Sequence, residues 1–398
     1  MNILYICDEY PPARSGGIGT VTKTVAEAMA ARGHKVYVAG GQCGRLTLPE
    51  ESVAGGVTVF RTEYLRHFRF LFRRDKASSR ALYSIFSRTG LLDLLSLRQM
   101  RKAHASWIKI IREKSIDMVE IPDYLTLGSH WDKIRPAYPV PVVARSHGSH
   151  SFMSFYNSGS IPPARLKDDA AFYRDASLVL ATSRFSADFV RERLCPGKEC
   201  EVVYNPVVIP QGIETSASGS RDIVFLGKVI RTKGAFSLIE AFKLFSPRHP
   251  EYRLVLIGRG DIAGARGMVP QELKDKVAFT GVLSRDEALN IVGGAAFCVV
   301  PSYFENFSMA ALEIMGLGKA LVYTNTSSGP ETVEDGTDGL LCDPEDEKDI
   351  AAKMELLATD DGLRRKLGEN AAERIRSRFS VGAIVPQIEK HYLNLTTR

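Results

Sequence analysis

The chain has 398 residues, of which 44% are apolar and 25% charged, and its formal net charge is +6. This is the composition of a globular protein of two or three domains and excludes a largely disordered chain. The small excess of positive charge does not by itself indicate a nucleic-acid-binding protein.

The amino-terminal segment and the cysteines indicate a compartment. Asp8 and Glu9 follow a short apolar run, which is unlike a signal peptide. No apolar run approaches the ~20 residues of a membrane-spanning helix. The six cysteines are scattered and form no CxxC pair. We therefore expect a cytoplasmic protein with reduced thiols and no structural zinc.

Short apolar runs alternate with helical patterns through the first half. The helix after the first loop places Val21, Val25 and Met29 on one stripe and should end at Gly33. This alternation predicts a parallel sheet covered on both faces. The runs cover 2–8, 35–41, 57–62, 117–121, 141–146 and 178–182.

The pattern restarts after a segment rich in Pro, Gly and Ser at 206–222, which we interpret as a linker. The sequence thus predicts an α/β fold of two doubly wound, Rossmann-like domains, at 1–212 and 213–380. An amphipathic helix at 381–398, interrupted by a proline, should pack back onto the first domain. The second set of runs covers 222–227, 252–258, 276–281, 296–302, 319–324 and 338–344, with helices predicted at 233–246, 285–294, 308–317 and 346–358.

Ligands of open α/β sheets bind at the carboxyl ends of the strands. We therefore expect the two domains to face each other across a cleft that holds the functional site. One candidate is His147, directly after the run 141–146, where an imidazole can bond a ligand hydroxyl or move a proton. A structural histidine is the alternative.

A glycine-rich loop, Arg14-Ser-Gly16-Gly17-Ile-Gly19, joins the first run to the first helix. Glycines let a backbone approach a ligand closely, and the helix behind them presents free N–H groups to an anion. The spacing differs from the G-x-G-x-x-G dinucleotide motif, which counts against a dehydrogenase. A plain tight turn is the alternative.

Three cations, Lys228, Arg231 and Lys233, follow the first strand of the second half. Clustered donors at the carboxyl end of a strand suit the oxygens of a phosphate. Solvated charge on a loop is the alternative.

The segment 301–313, PSYFENFSMAALE, is the most informative motif. Ser308 is predicted to cap a helix, with Glu305 in the loop ahead of it and Glu313 about one and a half turns inside. The two carboxylates can bond separate hydroxyl groups of one ligand, whose phosphate lies at the helix N-terminus. The alternative is one surface carboxylate and one helix-stabilising carboxylate, but the apolar neighbours of Glu313 disfavour it.

Residues 61–114 hold 14 Lys or Arg against 4 Asp or Glu, interleaved with aromatic residues. A solvated helical face explains such a stretch. The alternative is a surface that meets anionic lipid or a phosphorylated acceptor.

Together these motifs resemble the family 4 glycosyltransferases of the GT-B fold. The resemblance rests on the Pro-Pro…Gly16-Gly17 loop, on His147-Gly, on the pair Lys228…Lys233 and on Glu305-x7-Glu313. It extends to the trailing segment 328–341, SGPETVEDGTDGLL, and so covers nearly the whole chain.

The resemblance implies a retaining transferase that moves a sugar from a nucleotide-sugar, most commonly a UDP-sugar, to an acceptor hydroxyl in glycan or glycoconjugate biosynthesis. It implies no cofactor and no essential metal. The first domain would bind the acceptor, which is a glycan, a lipid-linked molecule or a small molecule. The second domain would bind the donor.

The resemblance also implies roles for the site residues of the second domain. Lys228 and Lys233 would hold the donor diphosphate. Glu313 would bond the ribose and Glu305 the sugar hydroxyls. Backbone N–H groups would support the sugar and the phosphate, at Phe307, Ser308 and Met309.

In the first domain, Gly16 and Gly17 would close over the diphosphate, and His147 would bond the sugar near the reacting carbon. One position departs from the family, whose cation pair is usually Arg-x4-Lys. Lys228 keeps the charge of that arginine but loses its bidentate fork, and Arg231 is the candidate to compensate.

Two other functions remain open. A nucleotide-sugar epimerase on the same fold would consume the donor without an acceptor. A non-catalytic sugar-binding or nucleotide-binding protein would tolerate the loss of Glu305 or Lys233. We expect no nucleic-acid partner, and we expect peripheral contact with an anionic membrane at its inner face through residues 61–114.

Overall fold

The computed structural model describes residues 1–13, 16–41, 50–62, 91–124, 129–134, 137–215 and 219–397. Arg14 and Ser15 of the glycine loop and residues 63–90 of the basic stretch lie outside these ranges. The chain forms two compact units: one comprises Met1–Tyr204 and Val385–Arg398, and the other comprises Asn205–Ile384.

The first unit is built on an eight-stranded sheet of order β3-β4-β2-β1-β5-β6-β7-β8. All neighbouring strands are parallel except β3 and β4. The strands are Asn2–Ile6 (β1), Lys35–Gly41 (β2), Glu51–Ala54 (β3), Val57–Thr62 (β4), Met118–Pro122 (β5), Val142–Ser146 (β6), Leu178–Ala181 (β7) and Glu201–Val202 (β8).

The antiparallel edge strand β3 departs from the predicted parallel sheet. Two glycines, Gly55 and Gly56, join β3 to β4, and both have positive φ angles of 59° and 76°. Positive φ at both central residues suits a two-residue hairpin, which reverses the chain too tightly for a crossover helix. The helices of this unit are Gly17–Ala31, Leu91–Glu113, Trp131–Ile134, His150–Ser158, Pro163–Asp175 and Arg184–Phe189, the last continued by a π-helical turn at Val190–Leu194.

The second unit is built on a six-stranded parallel sheet of order β11-β10-β9-β12-β13-β14. Its strands are Asp222–Leu226 (β9), Arg253–Ile257 (β10), Val277–Gly281 (β11), Phe297–Val300 (β12), Leu321–Thr324 (β13) and Leu340–Cys342 (β14). Its α-helices are Ala235–Phe245, Ile262–Gly267, Arg285–Gly293, Met309–Gly316, Gly329–Thr332, Glu347–Thr359 and Asp361–Arg374, with 3₁₀ turns at Arg231–Lys233 and Gln271–Leu273 and a π-helical turn at Ile375–Phe379.

The core of each unit lies around its central strands. Every residue of β6, β12 and β13 is buried, as expected for parallel strands covered on both faces. The continuous apolar runs of the sequence therefore have a direct structural cause. The predicted α/β fold with two Rossmann-like halves is confirmed.

The units separate at residues 204 and 205, eight residues before the boundary predicted at 212. The intervening segment packs within the second unit, because the N–H of Val207 donates to the carbonyl of Phe379 at 2.9 Å. Ile209 also lies so close to Gly316 that a side chain there would clash. The composition of this segment predicts a linker, whereas in the structure its apolar residues pack against the rest of the second unit. The cleft expected between the two domains stays a prediction.

The last helix, Val381–Thr396, contains Pro386, and the predicted interruption is wrong. Pro386 is the sixth residue of the helix, so it removes one hydrogen bond near the start and leaves the later bonds intact. Farther along, Tyr392 donates a hydrogen bond to Glu120 of β5. Glu389 accepts a hydrogen bond from Arg32 at 2.9 Å, beside the end of the helix Gly17–Ala31.

Candidate functional site

The second sheet has a topological switch point at β9, which lies between β10 and β12. The loops that follow the two strands of a switch point are neighbours at the carboxyl edge, where open α/β sheets bind ligands. These loops are residues 227–234 and 301–308, and they carry six of the predicted site residues.

An ion pair joins the two loops. The Nζ atom of Lys233 lies 2.7 Å from Oε2 of Glu305, while Oε1 of Glu305 accepts a hydrogen bond of 2.9 Å from the hydroxyl of Ser302. The backbone N–H of Glu305 donates to the hydroxyl of Ser327 at 2.9 Å. Glu305 is 8% exposed. The pair thus presents an ammonium and a carboxylate at one point, suited to the phosphate and the hydroxyls of one ligand.

Gly234 allows this approach. Its φ is +71°, and a Cβ atom placed there would lie 1.8 Å from the carbonyl oxygen of Pro301. A residue with a side chain fits neither the backbone conformation nor the space. The 3₁₀ turn Arg231–Lys233 therefore lies directly against the end of β12 because residue 234 is glycine.

Lys228 and Arg231 lie on the same loop as Lys233, and both are exposed. The guanidinium of Arg231 lies over the ring of Phe236, 4.8 Å from its centroid. The loop therefore presents three cations at the carboxyl edge, one of which is joined to Glu305.

The helix Met309–Gly316 begins at the predicted residue. Ser308 is its N-cap, with extended backbone angles and a hydroxyl that accepts a hydrogen bond of 3.4 Å from the N–H of Ala311. Phe307 is buried, with its ring centroid 5.5 Å from that of Phe379. The first N–H groups of this helix lie directly after the loop that carries Glu305, and they supply a positive dipole end.

Glu313, on the same helix, is paired with an arginine that the sequence did not indicate. Nε of Arg285 lies 2.7 Å from Oε1 of Glu313, and Arg285 also donates to the carbonyl of Val208 at 2.6 Å. Burial raises the pKa of Glu313, and the neighbouring guanidinium opposes that rise. The helix therefore has the hydroxyl of Ser308 at its N-cap and the carboxylate of Glu313 at its fifth residue.

In the first unit the switch point is β1, between β2 and β5. After β1, the N–H of Gly16 donates to the carboxylate of Glu9 at 3.1 Å, and Gly17 begins the first helix. A side chain at Gly19 would lie 2.1 Å from the carbonyl oxygen of Glu9. This helix N-terminus is thus already beside a carboxylate, and an anionic ligand would compete with Glu9 for the N–H of Gly16.

His147 follows β6, and a buried aspartate fixes its backbone. Asp123 accepts hydrogen bonds from the N–H groups of His147 at 2.7 Å and Gly148 at 3.3 Å. It also accepts from the hydroxyls of Tyr173 at 2.6 Å and Ser146 at 3.1 Å. These four donors stabilise the loop conformation in which Gly148 has a φ of +107°.

The electrostatics of this loop decide the protonation of its side chains. Burial lowers the pKa of His147 to about 3, and the positive charge of Arg145 adds to the effect. Burial raises the pKa of Asp123 to about 6, against the opposing hydrogen bonds from Tyr173 and His147. The imidazole is therefore neutral near pH 7 and acts as a hydrogen-bonding group.

The structure brings Lys233 and Glu305 into contact and places Glu313 on the helix capped at Ser308. The roles of all predicted site residues toward a donor stay predictions. Sequence reasoning missed Asp123, Ser302 and Arg285. Asp123 directly follows an apolar run, which is a usable signal, whereas nothing in the sequence around Arg285 points to Glu313.

Two kinds of feature are absent from the described part of the chain. No group of three or more His, Cys, Asp or Glu side chains is placed there to hold a metal ion. No helix there combines the length and the apolar character needed to cross a membrane. Metal independence of the reaction stays a prediction.

Known structures of similar fold cover the whole chain. Sucrose-phosphate synthase from Thermosynechococcus elongatus superposes with a TM-score of 0.80 and 20% identity, over 100% of this chain and 99% of that chain. HepE from Anabaena, solved in complex with UDP, superposes with a TM-score of 0.70 and 19% identity, over 99% and 100%. Both show the fold. By sequence, a glycogen synthase of Mycobacterium tuberculosis is 26% identical over 99% of this chain and 94% of that protein.

Two family models match the chain in succession. The model described as "Glycosyltransferase Family 4" matches residues 15–210, and the model described as "Glycosyl transferases group 1" matches residues 211–374. The fold and these matches define a glycosyltransferase of the GT-B fold. Within that class, the chain belongs to the family 4 glycosyltransferases, which confirms the resemblance seen in its motifs.

Proposed function

We propose that this glycosyltransferase is a retaining, metal-independent enzyme that transfers a sugar from a UDP-sugar to an acceptor hydroxyl in glycan or glycoconjugate biosynthesis. The Lys233–Glu305 pair beside the capped helix Met309–Gly316 carries the proposal. The binding of UDP by HepE, a protein of the same fold, supports the choice of donor.

In this proposal the second unit holds the donor. Lys228 and Lys233 bond the diphosphate, and the N–H groups at residues 307–309 support it. Glu305 accepts hydrogen bonds from the sugar hydroxyls, and Glu313 accepts them from the ribose. The donor thereby replaces two internal ion pairs, Lys233–Glu305 and Arg285–Glu313, with contacts to its own oxygens.

The reaction breaks the bond between the anomeric carbon and the β-phosphate oxygen and forms a bond from that carbon to the acceptor oxygen on the same face. Negative charge develops on the β-phosphate, where fixed cations and helix N–H groups stabilise it most. The proton of the acceptor hydroxyl passes to that phosphate. We assign His147, as a neutral imidazole, to a hydrogen bond with the transferred sugar.

The variants Lys233→Ala and Glu305→Ala test the donor site. Each removes a group that stabilises developing charge or orients the sugar, and such a loss costs ~3 kcal/mol. We expect the rate of transfer to fall about a hundredfold in each variant. The measurement is product formation by liquid chromatography and mass spectrometry, with a panel of UDP-, GDP- and ADP-sugars and candidate acceptors.

Lys348→Ala, which removes an exposed lysine of the same unit, is the matched control and should keep the native rate. Near-native transfer by Lys233→Ala would contradict the proposal. Conversion of the donor to an isomeric nucleotide-sugar without acceptor would identify an epimerase instead. An inverted anomeric configuration in the product, read by NMR, would contradict retention.

We also propose that the basic stretch meets the inner face of an anionic membrane. In the helix Leu91–Glu113, five exposed cations support this, at Arg98, Arg101, Lys102, Lys109 and Arg112. Charge reversal at Arg101 and Lys102 should reduce sedimentation with vesicles that contain anionic lipid. Unchanged sedimentation would count against membrane contact.

A further inference from the structure

A cavity of about 770 Å³ lies in the second unit, away from the proposed donor site. It is lined by the segment 209–215, the turn at residues 316–320 and the helix Asp361–Arg374. The turn directly precedes β13, and Ala296, which also lines the cavity, directly precedes β12. The cavity therefore lies at the amino edge of the sheet, whereas Glu305 lies at the carboxyl edge.

The charged groups that line the cavity are four cations and two carboxylates. Asp361 is already paired with one of the cations, Arg364. Glu369 is one helical turn beyond Arg365, and the structure shows no ion pair between these two described residues. In the ranges that the structure describes, no carboxylate pairs with Arg365 or with Lys319. The cations are Lys319, Arg364, Arg365 and Arg376, and Arg376 is paired with Glu373, which lies 2.8 Å from its Nη2 atom.

Lys319 is unusual because its side chain is buried, with only 4% exposed. Its ammonium donates to the carbonyls of Thr215 at 3.2 Å and Ala295 at 3.1 Å. Two neutral acceptors leave a third N–H and no counter-charge for this ammonium among the described residues, and burial lowers its pKa. An ammonium buried without a counter-charge is costly, and an anion in the cavity would remove that cost.

The helix and the turn that line the cavity pack directly against each other. The residues of the helix that line it lie at 361, 364, 365, 369 and 372, a spacing that keeps them on one helical face. The turn that carries Lys319 has a φ of +69° at Gly318. A Cβ atom at Gly368 would lie 2.1 Å from the carbonyl oxygen of Gly318, so the helix and the turn are in direct contact.

We propose that this cavity binds a small phosphate monoester, whose dianionic phosphate contacts Lys319 and Arg365. An arginine fork and an ammonium are the donors that phosphate oxygens favour. The volume is typical of small-molecule sites and far exceeds that of a phosphate group. The organic part of the ester therefore lies in the same cavity, between the segment 209–215 and the helix Asp361–Arg374.

Isothermal titration calorimetry of the full chain tests this site with three probes: glucose 6-phosphate, AMP and inorganic phosphate. We expect one of the two esters to bind with a Kd below about 1 mM and more tightly than inorganic phosphate. Arg365→Gln should weaken that binding at least tenfold, because it removes a charged, bidentate donor. Arg365 is exposed, so this variant should fold.

Two further variants locate the binding. Lys366 is the exposed neighbour of Arg365 on the same helix, but its side chain does not line the cavity. The variant Lys366→Gln should therefore change the Kd of the ester less than twofold. Lys233→Ala disables the proposed donor site and should leave the Kd unchanged.

Three results would overturn the proposal. The first is no saturable binding of either ester, and the second is equal binding to the Arg365→Gln protein. The third is loss of binding in the Lys233→Ala protein, which would place the ester at the donor site. Because the readout is binding, a failure here is independent of whether the chain transfers sugar.

Discussion

Gly234 shows how much of the site depends on one residue without a side chain. Its positive φ and its contact with the carbonyl of Pro301 bring the loop of Lys233 against the loop of Glu305. The 2.7 Å ion pair between those side chains is possible because the two backbones touch. A substitution at residue 234 should therefore affect both the stability of the unit and the geometry of the pair.

Gly234→Ala should lower the free energy of unfolding by roughly 3 kcal/mol or more. A positive φ costs alanine about 1–2 kcal/mol, and the clash with Pro301 adds to this. Transfer activity should fall with it, because Lys233 moves away from Glu305. Chemical denaturation followed by circular dichroism, together with the transfer assay, measures both effects.

Gly336→Ala is the matched control. Gly336 has the same φ of +71°, but a Cβ atom there would meet nothing within 4 Å. This variant should lose only about 1–2 kcal/mol and keep its activity. Equal losses in the two variants would show that the contact with Pro301 has no importance.

At the scale of elements, the helix Met309–Gly316 connects its N-cap, Ser308, with the carboxylate of Glu313. Ser308 bonds the first turn of the helix, and Glu313 lies five residues later, paired with Arg285. The hydroxyl that ends the loop after β12 thus also sets the direction of the helix that carries Glu313. A cap at this point has a structural effect and, in the proposed function, an effect on donor binding.

Ser308→Ala should lower the free energy of unfolding by about 1 kcal/mol. It should also raise the KM for the donor about fivefold, since one hydrogen bond near the phosphate is lost. Asp346→Ala removes the cap of the helix Glu347–Thr359 and should cost similar stability with no change in KM. If both variants raise KM equally, the cap affects the donor only through global stability.

The elements themselves were largely predictable, and their long-range partners were not. Continuous runs of apolar residues mark the buried parallel strands, and the sequence of 301–313 correctly placed the cap at Ser308. Arg285 and Glu313 are 28 residues apart on different helices, so no local pattern connects them. The boundary at 204 was missed for the same reason, because the packing of Val207 and Ile209 depends on residues more than a hundred positions away.

At the scale of the molecule, the first unit contains a buried histidine in an aromatic cluster. His104 is 2% exposed, and its ring lies 4.7 Å from that of Trp107 and 5.5 Å from that of Trp131. Its Nδ1 is 2.6 Å from the hydroxyl of Tyr138. Burial lowers the pKa of His104 to about 3. In the unfolded chain a histidine has a pKa of about 6.5. As the pH falls from about 6.5 to about 3, His104 is protonated in the unfolded chain but not in the folded one, so acid favours unfolding.

Between pH 7 and pH 5 this histidine should reduce the stability of the first unit by about 2 kcal/mol. His104→Phe removes the titrating group but keeps an aromatic ring. Between pH 7 and pH 5 the free energy of unfolding of this variant should therefore fall by about 2 kcal/mol less than that of the native protein. The chain has two tryptophans, Trp107 and Trp131, both in this unit, so urea unfolding followed by tryptophan fluorescence reports on it. If the free energy of unfolding depends on pH in the same way in the native protein and in the His104→Phe variant, the lowered pKa of His104 is contradicted.

The last helix contributes Tyr392 to the core of the first unit, where its ring centroid lies 6.5 Å from that of Tyr5 and its hydroxyl bonds Glu120. Residues from opposite ends of the polypeptide thus share one core. During synthesis on the ribosome, residues 205–384 emerge complete before Tyr392 does. Although residues 1–204 are translated first, the first unit therefore cannot complete its core until the last helix has been synthesised.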